Sequence, residues 1–287
     1  MIETEKNVEL SRYTTFGVGG RADWLATVKS KEELLEALDY ARKKKIRFVV
    51  IGSGSNLLIS DEGFRGLVIV NRATKREYVK DTVVAESGAN LTKVASQSLD
   101  DGYLGFEFGI GIPGTIGGAV VGNVGTKTGN VSDILISAEV WHEGKISVMD
   151  ASSLDFDYRY SNIKEKPEFV VLSAKFRLQE GDTAIAKEHV KDELKRRATL
   201  YRGQTAGSYY KNPIEGKTAA ELIDSLGLKG YRIGGAEVST EHANVFRNAG
   251  GATAHDFFEL ERYVAGKVLD KYGVTLHPEV MKLGDFI

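Results

Sequence analysis

The chain has 287 residues, 42% of them hydrophobic, with 38 basic and 40 acidic side chains and a net charge near −2. That length allows one large domain or two to three small ones with real cores, and the charge balance leaves no global field for nucleic acid or an anionic membrane, so any anionic ligand must be recognised locally. The absence of cysteine excludes disulfides, thiolate metal sites and cysteine nucleophiles, and fits a reducing compartment.

The amino terminus, Met1-Ile-Glu-Thr-Glu-Lys6, is polar and lacks the apolar centre of a signal peptide. No 18-residue apolar run occurs in the chain, so a soluble cytoplasmic protein is expected. Ser30-Lys-Glu-Glu33 has the pattern of a capping box ahead of Leu34, Leu38 and Ala41 on one helical face, and the basic residues at 42–45 close the last turn. This helix feeds a strand at 48–51. Gly52-Ser-Gly-Ser-Asn56 follows, and then a second strand-like run at 57–60. A Rossmann unit would open a helix there, and a triphosphate P-loop would continue into Gly-Lys-Ser/Thr; neither happens. What remains is a strand-turn-strand whose Gly52 and Gly54 backbone can line a concavity for an anionic group, with Ser53, Ser55 and Asn56 adding side-chain hydrogen bonds. Taken alone, the loop reads first as an ordinary tight turn.

Short β-like runs at 67–70 and 82–85 lead to a helix at 91–99, ended by Gly102. A denser glycine cluster comes next, Gly109-Ile-Gly111-Ile-Pro113-Gly114-Thr115-Ile-Gly117-Gly118. With so few side chains its N–H groups can converge on a pyrophosphate at little steric cost, and two such clusters make a dinucleotide cofactor the better account of both. Trp141-His-Glu-Gly-Lys-Ile146 predicts a hairpin turning at Glu143-Gly144, and 169–178 a strand of the same β-rich unit. A charged helix at 187–197 crosses to a second domain beyond Gly207. There Thr218-Ala-Ala-Glu221 is another capping box, and 253–271 carries a helical stripe of Phe257, Leu260, Val264 and Val268, stopped by Gly273. A terminal strand is expected over 274–281. The histidines at 142, 189, 242, 255 and 277 show no ligand spacing, so no metal site is expected.

Seven motifs, in order along nearly the whole chain, carry a family resemblance. They are Thr15-Phe-Gly17, Ile51-Gly-Ser-Gly-Ser-Asn56-Leu, Gly111-Ile-Pro-Gly-Thr-Ile-Gly-Gly118-Ala with Gly122-Asn123, Tyr158-Arg-Tyr-Ser161, Gly207-Ser-Tyr-Tyr-Lys-Asn-Pro213, Glu241-His-Ala-Asn244 with Asn248, and Leu276-His-Pro-Glu279-Val. Together they resemble the UDP-N-acetylenolpyruvoylglucosamine reductases, FAD enzymes that make UDP-N-acetylmuramate for peptidoglycan. The resemblance implies an α+β protein with the FAD-binding fold of the vanillyl-alcohol oxidase type. Its lobes would be 1–70, completed by 273–287, and 71–185, with a separate α+β substrate domain at 196–272.

By the same resemblance FAD is held by Gly52, Ser53, Gly54, Ser55 and Asn56 and by Gly111, Pro113, Gly114, Thr115, Gly117 and Gly118. It is expected to be non-covalent, because the histidine and cysteine routes of attachment look closed near these loops. NADPH would be the hydride donor and UDP-N-acetylglucosamine enolpyruvate the substrate. Arg159 matches the family's substrate arginine: a guanidinium grips a carboxylate through two parallel hydrogen bonds and stabilises charge developing on an enolate. Ser208 matches its proton donor, a weak acid facing a strongly basic carbanion or enolate. Glu279 completes the catalytic set by polarising the enolpyruvyl group. Tyr158, Lys211, Asn212, His242 and Asn244 are candidate substrate contacts.

The chain resembles the compact form of the family, which lacks a substrate-covering tyrosine loop. The family's usual Asn-Ala-Gly-Ala-Tyr-Gly is Asn123-Val-Gly-Thr-Lys-Thr-Gly129 here, and its Gln-Pro is Gln204-Thr205. A monomer is expected, with neither nucleic acid nor membrane as partner. The rival readings are another FAD oxidoreductase of the same fold, reoxidised by oxygen, and a catalytically inactive flavin- or sugar-nucleotide-binding protein.

Overall fold

Ser30 starts the first helix, Lys31–Lys44, by accepting a hydrogen bond from the Glu33 N–H. The expected box is only half made, because the Glu33 carboxylate reaches back to the N–H of Lys29 instead of Ser30. This helix belongs to the first of two compact units in the computed structural model, which describes residues 2–200, 202–213 and 215–286. Unit one contains the residues up to Lys6, Trp24–Ser53 and Gly66–Lys195; unit two contains Asn7–Asp23, Gly54–Arg65 and the chain from Arg196 onward.

Unit one has two hydrophobic cores. In the first, Leu34, Ala37, Leu38 and Ala41 pack on Ala26, Val28, Leu67 and Ile69. The strands beneath include Phe48–Ile51, paired in parallel with Phe64–Asn71 so that Phe48 faces Leu67 and Ile51 faces Val70. The second core lies on an antiparallel sheet in the order Lys145–Asp150, Leu135–His142, Val170–Arg177, Thr82–Glu86, Arg76–Val79. Glu143 and Gly144 have φ of 51° and 84°, the positive pair that a two-residue hairpin requires. The helices Leu91–Asp100 and Ile116–Val121 contribute Val94, Ile116 and Val120 to this core, beside Val83, Phe106 and Phe176.

The expected lobe boundaries do not fall where the contacts divide the chain. Trp141, Val170 and Leu172, from the second sheet, complete the core under the first helix, so 24–53 and 66–185 group as one unit, whereas 7–23 and 54–65 group with the other. Segment 273–287 groups with 196–272. The helix expected at 187–197 extends over Ala184–Leu200 and has no buried residue; the chain leaves unit one within it.

Unit two is built on an antiparallel sheet ordered Gln204–Ser208, Val245–Asn248, Ala236–Val238, Arg232–Ile233. Thr218 and Glu221 form a complete capping box on Ala219–Asp224, as do Thr253 and Asp256 on Ala254–Tyr272. The latter helix ends at Gly273, φ 67°, and its stripe of Phe257, Leu260, Val264 and Val268 enters a core with Phe16, Tyr209 and Phe246. The strand expected over 274–281 is found only as Met281–Leu283, parallel to Leu57–Ile59. Pro278 has no N–H to give a ladder. Its neighbours dock instead on 209–211, where the Lys211 N–H donates to His277 O at 2.9 Å and the Glu279 N–H to Tyr209 O at 2.8 Å. No helix among the described residues is long and apolar enough to cross a membrane.

Candidate active site

The two glycine clusters meet within unit one. A Cβ added at Gly52 would sit 2.8 Å from Thr115 Cγ2 and 3.1 Å from its Cβ, closer still to its Oγ1. Arg72 Nη1 pins this part of the loop by donating to Gly52 O at 2.8 Å. The N–H groups of Gly52, Ser53, Gly114, Thr115 and Gly118 have no hydrogen-bond acceptor among the described residues. Donors of this kind, on glycine-rich backbone, suit an oligophosphate. Gly117 lets the helix lie on the preceding strand, since a Cβ there would come within 2.8 Å of Ser87 Cβ.

On the unit-two side of the loop, Gly54 has φ 63° and a Cβ there would collide with the Tyr13 carbonyl. The Thr15 N–H donates to Gly54 O at 3.1 Å, and the buried Thr15 hydroxyl has no partner among the described residues. An orphaned hydroxyl beside the loop is what a polar cofactor group would satisfy. Asn56 does something other than expected: its amide donates to Glu279 O at 3.0 Å, tying the loop to the segment that carries Glu279.

Arg159 occupies a two-residue turn closed by hydrogen bonds in both directions between Asp157 and Tyr160, at 3.2 and 3.1 Å. Its φ is 56°, a region that costs a side-chain-bearing residue about 1–2 kcal/mol. The turn is braced from behind. Asn123 donates to Asp157 O at 3.0 Å and accepts from the Ser132 N–H, Ser161 Oγ donates to Val121 O at 2.7 Å, and Arg159 Nη2 donates to Gly125 O at 2.6 Å. The arginine is thus presented by the segment leaving the second glycine cluster. Tyr158 is exposed, with the Arg159 guanidinium 5.3 Å from its ring centroid.

In unit two Ser208 is half-buried at the end of its strand, just after Gly207 at φ 80°, and opposite Val245. The backbone bond from Glu279 to Tyr209 brings Glu279 beside the residue that follows Ser208. Lys211 is half-buried, while Asn212 is exposed and its Oδ1 accepts from the Ala219 N–H at a helix start. His242 accepts the Asn244 N–H on Nδ1, and burial, then the charges of Lys229 and Arg196, lower its pKa from the usual 6.5. Asn244 has a structural task. It is 3% exposed and its amide clasps Tyr210, accepting from the N–H at 2.9 Å and donating to the carbonyl at 2.8 Å, so it shapes the Ser208 segment from inside. Asn123 and Thr15 stand in the family motifs with no role evident from sequence; a small polar residue near a glycine is the signal they carry.

Backbone donors around two glycine clusters in an α+β protein suit a dinucleotide, and an FAD binding domain profile matching residues 22–147 makes this a flavin-dinucleotide-binding protein. The profile of the UDP-N-acetylenolpyruvoylglucosamine reductase C-terminal domain matches 198–283. The UDP-N-acetylenolpyruvoylglucosamine reductase of Synechococcus sp. (strain RCC307) is 42% identical, with 99% of this chain and 95% of that protein aligned. The one from Caldanaerobacter subterraneus subsp. tengcongensis is 38% identical, over 97% and 93%. The crystal structure of the Thermus caldophilus reductase superposes with a TM-score of 0.85 at 34% identity, covering 99% of this chain and 100% of that one. The chain belongs to the UDP-N-acetylenolpyruvoylglucosamine reductase family. It has the FAD-binding α+β fold expected of it.

Proposed function

We propose that this protein reduces UDP-N-acetylglucosamine enolpyruvate to UDP-N-acetylmuramate at the expense of NADPH, in peptidoglycan precursor synthesis. FAD, held non-covalently, relays the hydride from NADPH to the substrate's enolpyruvyl group. Gly52 to Asn56 and Gly111 to Gly118 hold the cofactor, with Gly52, Ser53, Gly114, Thr115 and Gly118 supplying backbone donors to its diphosphate. Arg159 grips the substrate carboxylate and offsets the negative charge that builds on the enolate. Ser208 gives its proton to the α-carbon, and Glu279 polarises the same group from the segment docked on Tyr209. Tyr158, Lys211, Asn212 and His242 contact the sugar nucleotide. The protein works in the cytoplasm as a monomer, without membrane or nucleic acid, and through the cell wall it serves cell shape and division.

The observation that carries this reading is the backbone bond that sets Glu279 beside Tyr209, next to Ser208, in a chain that aligns with the family from end to end. The test is rapid mixing of the NADPH-reduced holoprotein with UDP-N-acetylglucosamine enolpyruvate, or with air-saturated buffer. Fast reoxidation by the sugar nucleotide with UDP-N-acetylmuramate as product is expected. Reoxidation by oxygen alone would refute the proposal in favour of an oxidase.

A further inference from the structure

The residue after Ser208 is among the most buried of its unit. Tyr209 is 0% exposed, its ring stacked on Phe246 with centroids 4.3 Å apart, and its hydroxyl donates to Glu261 Oε2 at 2.9 Å. Glu261 breaks the apolar pattern of its own helix: it is 7% exposed, among Phe257, Leu260 and Val264. Its other carboxylate oxygen accepts from Lys282 Nζ at 2.8 Å, and its main-chain carbonyl accepts from the Tyr210 hydroxyl at 2.5 Å. Lys282 lies on the strand Met281–Leu283, a few residues beyond Glu279, whose N–H donates to Tyr209 O. The ties close on themselves. Glu261 holds Tyr209 by its side chain, Tyr209 holds Glu279 by its backbone, and the chain from Glu279 returns through Lys282 to Glu261.

Stability gives little reason for a carboxylate here, because apolar side chains of similar volume usually fill a core at least as well as a buried charge whose partner, Lys282, is exposed. What the charged group adds is direction: two acceptor oxygens that accept from two different segments at fixed distance. We propose that Glu261 is a positioning residue, which with Tyr209 and Lys282 fixes Ser208 and Glu279 relative to one another without touching substrate or cofactor. This rests on the roles given to Ser208 and Glu279 above. Burial, and then the charge of Glu261, hold the Tyr209 phenol well above its ordinary pKa, so it remains a donor throughout the working pH range.

The test separates the two half-reactions by rapid mixing, flavin reduction by NADPH and reoxidation by UDP-N-acetylglucosamine enolpyruvate, in the holoenzyme. Glu261→Gln keeps the volume but offers one acceptor oxygen in place of two, and Tyr209→Phe removes one tie. The double variant Tyr209→Phe/Glu261→Leu replaces both partners by apolar groups and leaves no buried donor unpaired. We expect reoxidation to slow roughly 10- to 100-fold in all three, as a displacement of about 1 Å would produce. Flavin reduction and FAD retention are expected to stay at wild-type values, and the melting temperature of the double variant to be no lower than wild type. Wild-type reoxidation by the double variant would overturn the proposal; should that variant not fold, wild-type reoxidation by Tyr209→Phe and by Lys282→Met would do so. Ser208→Ala, measured in parallel, keeps the two readings apart. If it reoxidises normally, the role of Ser208 is wrong and the positioning role falls with it, whereas a slow Ser208→Ala beside fast tie variants overturns positioning alone.

Discussion

Gly52→Ala is expected to weaken FAD binding through a single contact. The new methyl would lie 2.8 Å from Thr115 Cγ2 and 3.1 Å from Thr115 Cβ, inside van der Waals range on both. Thr115 cannot swing aside cheaply. It is 7% exposed, β-branched and stiff at χ1, and its carbonyl accepts from the Ala119 N–H in the first turn of Ile116–Val121. Overpacking of this kind costs about 1–3 kcal/mol. In the apoprotein the loop can relax, but cofactor binding must return its N–H groups to the cradle, so the strain falls on the bound state. At about 1.4 kcal/mol per tenfold, the FAD dissociation constant should rise roughly 5- to 150-fold, read by flavin fluorescence quenching on titrating apoprotein. The contact also names its own rescue: Thr115→Ala removes Cγ2 and Oγ1 and leaves only the 3.1 Å approach to Cβ, so Gly52→Ala/Thr115→Ala should recover most of the affinity of Thr115→Ala alone. Wild-type affinity in Gly52→Ala, or no recovery in the double variant, would refute the packing argument.

Ser208→Ala should retain FAD and NADPH-dependent flavin reduction while product formation falls on the order of 10²–10⁴-fold, which chromatography of the UDP-sugar product would measure. Arg159→Gly should leave the melting temperature close to wild type, because relief of the left-handed backbone, worth about 1 kcal/mol, offsets the lost bond to Gly125. The same variant should lose turnover at substrate concentrations that saturate the wild type. His242 titrates below its usual 6.5 in the fold, so the unfolded chain takes up the proton first. Its contribution to stability is therefore unchanged at neutral pH and is lost as the pH falls from about 6.5 towards the folded value, and urea midpoints measured across that window should drop less in His242→Gln than in wild type.

Much of the fold could be read where a local rule and the global packing agree. The Thr218 and Thr253 caps, the Glu143-Gly144 turn and the stripe Phe257, Leu260, Val264, Val268 are all fixed by bonds within a few residues. What could not be read depends on partners distant in sequence. The grouping of 24–53 with 66–185 rests on Trp141, Val170 and Leu172 filling a core begun at Ala26, and the absence of a strand at 274–280 rests on where His277 and Glu279 find hydrogen-bond partners. At the site, the glycine clusters were visible because glycine is costly to keep without a reason. Asn244 was not separable from a ligand contact by composition, since an asparagine that clasps Tyr210 and one that faces a substrate look alike in a string of letters. Glu261 was hidden for the opposite reason: a glutamate on a helix is ordinary until its burial is known.

Arg159 shows how the two kinds of information combine. A non-glycine residue at positive φ is a local defect, and a turn that needed only to reverse the chain would carry glycine or asparagine there. The defect persists because bonds from Asn123 and Ser161, and from Arg159 itself to Gly125, over-determine the turn from the segment behind it. That segment is the continuation of Gly111 to Gly118, where four of eight residues are glycine. One stretch of chain therefore offers glycine-rich backbone at its start and a rigid platform for a cationic side chain at its end. A guanidinium that must meet a planar carboxylate through two parallel bonds gains from such fixing, because orientation enters its energy as strongly as distance. The strain at Arg159 and the glycines before it are in this sense one adaptation, and substitutions at Asn123 should register at Arg159 before they register in the core.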